Sequence, residues 1–200
     1  ILITEPSSDE IVTSSHDYTS LLHTLFARFA LLTGSAAYAD KSTFFAPIPP
    51  AQTANALGRV KIINVVRDGR DVFLSSASTW FGTKNAVTSA RLWSRHINSA
   101  DAWARLSNAA IMTLRYENVV HDPESTLAAA AEFLMLAPRK GDAPTFLSDA
   151  MSTAPEHARL SQEIASDRIN RHQGAIEKWQ AGAFAIFAGT ALKRHDYPAN

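Results

Sequence analysis

The sequence contains no cysteine. That excludes disulfides, a thiolate nucleophile and thiolate metal ligation, and it fits a reducing compartment, so a cytoplasmic location is expected. Charge of one sign is lacking too: 19 Lys and Arg balance 19 Asp and Glu, for a formal net charge of zero. Broad attraction to nucleic acid or to an anionic membrane surface is therefore not expected, although a few arginines suffice for a local anion site. No apolar run approaches transmembrane length. No internal repeat or low-complexity tract appears. No His and carboxylate grouping has metal-ligand spacing, and no serine has a nucleophile-elbow context, so no metal is expected. The opening Ile1-Leu2-Ile3-Thr4-Glu5 has neither an initiator Met nor a basic stretch. It is not a signal peptide and reads as the cut edge of a longer chain.

What is there suits one globular domain over residues 1–200, with 46% apolar and 19% charged residues. The chain is organised around Lys61-Ile62-Ile63-Asn64-Val65-Val66-Arg67-Asp68-Gly69-Arg70-Asp71-Val72-Phe73-Leu74-Ser75. The β-branched run from Ile62 to Val66 predicts a short buried strand. Asp68 is a good N-cap, and Asp71 places a carboxylate in the first helical turn. A strand that ends in arginine and enters a helix is suited to an anion: free N–H groups and the helix dipole would face it, and a guanidinium grips phosphate bidentately. Ser75 lies two turns from the cap and can add a hydroxyl. Arg70 either faces outward or pairs with a neighbouring acid.

Elsewhere, periodicity predicts a strand near Ile1 to Thr4, an amphipathic helix from Tyr18 to Leu32 stopped by Gly34, and a short helix from Ala51 to Leu57. The helix after Asp68 is expected to run to about Trp80. A long helix from Asn85 to Leu106, capped by Asn85, has one face marked by Ala90, Trp93, Ile97, Ala100 and Ala104. Ile111 to Tyr116 reads as a second buried strand. Asp122, Pro123 and Ser125 start a helix expected to continue through Leu136. Further helices are read from Pro144 to Met151, Pro155 to Ile169 and Gly182 to Lys193. Strands alternating with helices predict an α/β fold with a short parallel sheet and a majority of helix.

Four segments, in order from Asp40 to the C-terminus, resemble the sulfotransferases that use 3′-phosphoadenosine 5′-phosphosulfate (PAPS), in their bacterial form. Arg67-Asp68-x-Arg70-Asp71-x-x-x-Ser75 is similar to the segment that binds the donor's 3′-phosphate, a role the resemblance gives to Arg67 and Ser75. Asp40-Lys41-Ser42-Thr43 resembles the Asp/Glu-Lys-Thr-Pro segment whose lysine lies near the sulfuryl group, which implies that role for Lys41. A fixed cation there stabilises charge spread over the equatorial oxygens during in-line transfer. From spacing alone, an exposed loop lysine is the favoured reading of Lys41. Leu114-Arg115-Tyr116-Glu117-Asn118, followed by Asp122-Pro123, resembles the Arg-Tyr-Glu-Asp stretch with its Asp-Pro helix start, with Asn118 in place of the acid. Tyr116 inherits contact with the adenine or its surroundings, which suits an aromatic ring at a strand's carboxyl end; otherwise it is an ordinary core tyrosine, and Glu117 a helix- or loop-orienting carboxylate. Asn170-Arg171-His172-Gln173-Gly174 with Lys178-Trp179 resembles the C-terminal element that closes over the 3′-phosphate, implying phosphate contact by Arg171 and close backbone approach at Gly174. The ending Leu192 to Tyr197 resembles the family's Leu-x-x-x-Gly-Tyr, with Asp196 where Gly is usual.

The resemblance implies a three-layer, P-loop-NTPase-like sulfotransferase fold and transfer of a sulfuryl group from PAPS to a hydroxyl or amine of a small-molecule, lipid or carbohydrate acceptor. It also points to two departures. The family's phosphosulfate loop, of Ser-Gly-Thr type, is not found, so it lies upstream of Ile1 or is missing. The general base is open as well, because Thr43 stands where some members have His; Asp9, Glu10, His16 and His23 are available, His16 in a polar segment being favoured among them, and a base upstream of Ile1 is an equal alternative. The other readings are a nucleotide-binding or interaction module that has lost catalysis, and another P-loop-like phosphotransferase, which the absence of Gly-x-x-x-x-Gly-Lys-Ser/Thr weakens.

Overall fold

A computed structural model describes residues 18–34, 61–80, 82–106, 110–137, 167 and 169–198. The elements expected over residues 1–4, 51–57 and 144–151, most of that over 155–169, and Lys41, Thr43 and His16 lie outside these residues. In chain order the elements are α1 (Tyr18–Thr33), β1 (Lys61–Val66), α2 (Gly69–Ala77), α3 (Ala86–Leu106), β2 (Ala110–Arg115), α4 (Tyr116–His121), α5 (Pro123–Leu134), α6 (His172–Ala175) and α7 (Lys178–Arg194). His23 falls within α1, which ends at Gly34 with φ 63°, a left-handed conformation that glycine adopts without steric cost.

β1 and β2 pair in parallel, from Lys61 with Ala110 to Val66 with Arg115, with α2 and α3 between them in sequence. The described architecture is thus helix-rich α/β around a short two-stranded parallel sheet, as the alternating pattern predicts. The strands are less enclosed than expected. Val66 is 1% exposed but Val65 is open to solvent, and in β2 no residue is fully buried. At the start of β1, Lys61 donates from Nζ to the Phe133 carbonyl at 2.6 Å, placing a cation at the carboxyl end of α5, where the helix dipole favours it.

The core lies where α3 and α7 pack together over α2, built on Phe73, Trp93, Ile97, Phe184 and Leu192 with alanines 86, 90, 183, 188 and 191 between them. The small residues let the helix backbones approach closely. Phe184 and Leu192 are fully enclosed, and burial of each contributes roughly 1.5–3 kcal/mol. The two helices run the same way, since Arg91 stacks on Phe187 and, further along both, Arg194 reaches Asn98 and Asp101. That last contact explains why the α3 face is shorter than predicted: Ala104 lies beyond it and is exposed, and Ala100 is half-buried.

Several boundaries differ from expectation for identifiable reasons. α2 stops at Ala77 rather than near Trp80, because the hydroxyls of Ser76, Ser78 and Thr79 bond back to the carbonyls of Phe73, Ser75 and Ser76. β2 ends at Arg115, and Tyr116 opens a short helix. α5 ends at Leu134, two residues early, closed by Met135 in the left-handed region. α7 begins four residues before Gly182, at Lys178, because Glu177 and Gln180 form a reciprocal capping box.

Candidate functional site

The register of the two strands decides what meets at their carboxyl ends. Val66 pairs with Arg115, so Arg67 and Tyr116 emerge side by side. The Arg67 guanidinium lies over the Tyr116 ring, 4.7 Å from its centre, and both residues are half-buried. A guanidinium at that distance is attracted to the ring's negative face. Two residues assigned to the donor from separate sequence motifs are therefore brought into contact.

A polar network beneath them fixes the strand ends. Glu117 is buried; it accepts the Asp68 backbone N–H at 3.3 Å and the Tyr197 hydroxyl at 2.7 Å. The same hydroxyl lies 3.3 Å from the Val66 carbonyl, and Arg115 stacks on the Tyr197 ring. Burial pushes the Tyr197 phenol far above its ordinary range, helped by the Glu117 carboxylate and opposed by Arg115. Glu117 thus orients the turn, joining β1, β2 and the segment after α7.

The amino end of α2 is built differently from the expectation of free N–H groups facing an anion. Asp68 does cap the helix, but its Oδ1 takes the Arg70 N–H at 2.8 Å and its carboxylate is enclosed. Arg70 does not face outward. It is 3% exposed and pairs with Asp68 through two bonds, Nε to Oδ1 at 3.0 Å and a terminal nitrogen to Oδ2 at 2.7 Å. Gly69 is needed for this closure: a Cβ there would stand 2.7 Å from the Trp93 ring, whose Nε1 donates to the Arg67 carbonyl at 3.1 Å. The Arg70 N–H is thus spent on the cap and is not offered to an anion.

Asp71, one turn on, reaches across the chain. Its Oδ1 accepts both the His172 backbone N–H and its imidazole Nδ1, each at 2.9 Å. The second acceptance requires the tautomer with hydrogen on Nδ1. The His172 Nε2 lies 3.9 Å from Asp68. Burial disfavours the Asp71 carboxylate, but the two His172 hydrogen bonds and the charges of His172 and Arg67 outweigh it and hold the group below the usual carboxylate range. Ser75 follows Asp71 by one helical turn on the same side of α2 and is half-buried.

Arg171 directly precedes His172, caps α6 and extends into solvent. Gly174 lies within α6, exposed, with nothing within 4 Å of where a Cβ would stand, so no protein atom exploits its lack of a side chain. Sequence reasoning missed His172, the reach of Asp71 and the Tyr197–Glu117 link, because partners 101 and 80 residues apart leave no local pattern. An open groove of about 450 Å³ between α3 and α7, lined by Arg91, Arg95, Asn98 and Phe187 among others, shares no residue with this cluster. No described helix is long and apolar enough to cross a membrane.

Comparison with known proteins agrees with the motif reading. A family model described as "Sulfotransferase family" matches residues 15–139, which take in β1, the α2 turn, β2 and the Tyr116–Glu117 corner. No curated protein and no solved structure matches the chain. With more than half its length matched, the chain belongs to the sulfotransferase family.

Proposed function

We propose that the chain transfers a sulfuryl group from PAPS to a hydroxyl or amine acceptor, within a P-loop-NTPase-like sulfotransferase domain spanning residues 1–200. The observation that carries this reading is the Arg67–Tyr116 pair at the carboxyl ends of two parallel strands, where α/β sheets bind their ligands. Arg67 would grip the donor's 3′-phosphate with help from Ser75, Arg171 and the backbone near Gly174, and Tyr116 would meet the adenine. The half-buried Arg67 guanidinium, the half-buried Ser75 hydroxyl and the exposed Arg171 are of the right chemical type for a phosphate on a ribose.

In the proposed reaction the acceptor attacks sulfur, the bond from sulfur to the 5′-phosphate oxygen breaks, and PAP, the 3′,5′-bisphosphate, leaves with that electron pair. Lys41 would balance charge on the sulfuryl oxygens and His16 would take the acceptor proton. The residues seen in the structure contribute to donor binding: they fix the ribose end so that binding energy there aligns the sulfur for in-line attack. A small molecule, a lipid or a carbohydrate would serve as acceptor, and cytoplasm as the compartment.

Calorimetric titration with PAP and with 5′-AMP tests the reading. Arg67→Ala is expected to weaken PAP binding on the order of a hundredfold, through loss of a charge-assisted phosphate contact, and to leave AMP binding nearly unchanged. PAP affinity equal to that of the wild type in Arg67→Ala would remove the site assignment. Sulfate transfer from labelled PAPS to a panel of alcohols and amines then separates an enzyme from a binding module.

A further inference from the structure

His172 has no part in the reaction as derived above, yet it is among the best-anchored polar residues of the described fold. It is 6% exposed, and two of its N–H groups, one on the backbone and one on the ring, converge on a single oxygen of Asp71. Asp71 is 1% exposed and sits in the first turn of α2, the helix that carries Ser75 and follows Arg67. The charges facing this contact are Asp68 and Arg70 from the α2 turn and Arg67 from the end of β1. Arg171, the next residue towards the amino end, is exposed and reaches outward from this fixed point. The preceding residue, Asn170, takes the left-handed conformation with φ 57°, which turns the chain immediately before Arg171.

We infer that His172 is a positioning residue of the donor site: clamped by Asp71, it fixes the Arg171 backbone against the amino end of α2, so that Arg171 and Arg67 converge on one phosphate. The inference rests on the reading that this site binds the donor's 3′-phosphate. Its physical basis is the entropy of a long side chain. An arginine on an unanchored segment loses backbone as well as rotamer freedom when it binds, and a clamp at the adjoining peptide removes the backbone part beforehand. His172 itself touches no phosphate. Its ring is enclosed and its Nδ1–H is committed to Asp71. A buried charge-assisted contact serves better here than an apolar one, because one acceptor oxygen specifies both the ring and the peptide.

Two amide variants isolate the clamp. In His172→Asn the side-chain nitrogen can stand where Nδ1 stands and still donate to Asp71. In His172→Gln the nitrogen falls near the Nε2 position and the donation is lost. Both replacements are polar and close in size, so thermal unfolding midpoints are compared first and PAP affinity second. His172→Gln is expected to bind PAP about tenfold more weakly than His172→Asn, the loss typical of one charge-assisted hydrogen bond. In an Arg171→Ala background the gap between the two should shrink to about twofold or less, because paired changes acting through one residue are not additive. Equal PAP affinities for Asn and Gln, or an undiminished gap without the Arg171 side chain, overturn the inference even if Arg67→Ala weakens PAP binding as expected. A wild-type protein that binds no PAP overturns the site reading and the inference together.

Discussion

Arg70 occupies a charged turn, where an arginine is ordinarily solvated, yet it is folded back onto Asp68 and sealed beneath the surface. Removing one member of such a pair leaves the other charged and buried. Arg70→Ala is therefore expected to destabilise the protein by roughly 3–5 kcal/mol, read as a fall in the urea midpoint with an unchanged slope. A loss below about 1 kcal/mol, the value of an exposed pair, would show that Asp68 finds water or another donor instead. Arg67, three residues earlier in the same motif, is only half-buried and stacks on an aromatic ring. Two arginines in one short turn are thus placed differently, one holding the turn together and the other stacked on Tyr116 at the strand ends. Their residue type was visible in the sequence. The difference in placement was not, because it depends on which side of the turn Trp93 and His172 occupy.

Helix ends were the most legible features of the elements, and the reason is locality. Asp68, Asn85 and Asp122 are recognisable as N-caps in the sequence, and each accepts a backbone N–H two or three residues on, from Arg70, Thr88 and Ser125. Such bonds span one turn and are written in adjacent residues. The start of α7 was missed because its capping box is Glu177 with Gln180 rather than the Ser or Thr form. The end of α7 explains a departure from the family pattern. Tyr197 N–H bonds the Leu192 carbonyl at 2.9 Å and Asp196 N–H bonds that of Lys193 at 3.2 Å, the paired bonds of a Schellman closure. Asp196 then sits at φ 59°, in the left-handed region that favours glycine, the residue of the resembled Leu-x-x-x-Gly-Tyr ending. Asp196→Gly should relieve that strain and stabilise the fold by about 0.5–1 kcal/mol, after allowance for the extra freedom of glycine in the unfolded chain. A differential unfolding measurement at neutral pH would reveal it; destabilisation would mean that the Asp196 carboxylate contributes more than its backbone geometry costs.

At the scale of the whole molecule, the α/β class, the parallel pairing of the two strands and the family were readable from sequence. Each rests on runs of residues: β-branched Ile62 to Val66, and the motifs around Arg67 and Tyr116 that strand register then joins. The long-range polar links were not readable, and they set how the fold responds to acid. Asp71 is held below the ordinary carboxylate range in the native state. It therefore contributes stability that is present above that range and is lost as the pH falls through the lowered value, once the unfolded chain has begun to take up the proton. Unfolding midpoints are expected to drop as pH decreases below about 4, and the drop should be smaller in Asp71→Asn, which has no such proton to bind. An identical acid profile in that variant would show that other carboxylates govern the transition.

The Tyr197–Glu117 bond has one more consequence, for the order in which a nascent chain can complete this domain. Glu117 leaves the ribosome 80 residues before the phenol that satisfies it. Until residue 197 has emerged, the carboxylate under the junction of the strands must keep its hydration or forfeit about 1–3 kcal/mol. Closure of the strand ends consequently belongs to a later stage of vectorial synthesis than the strands themselves, which wait on the segment after α7 to be locked.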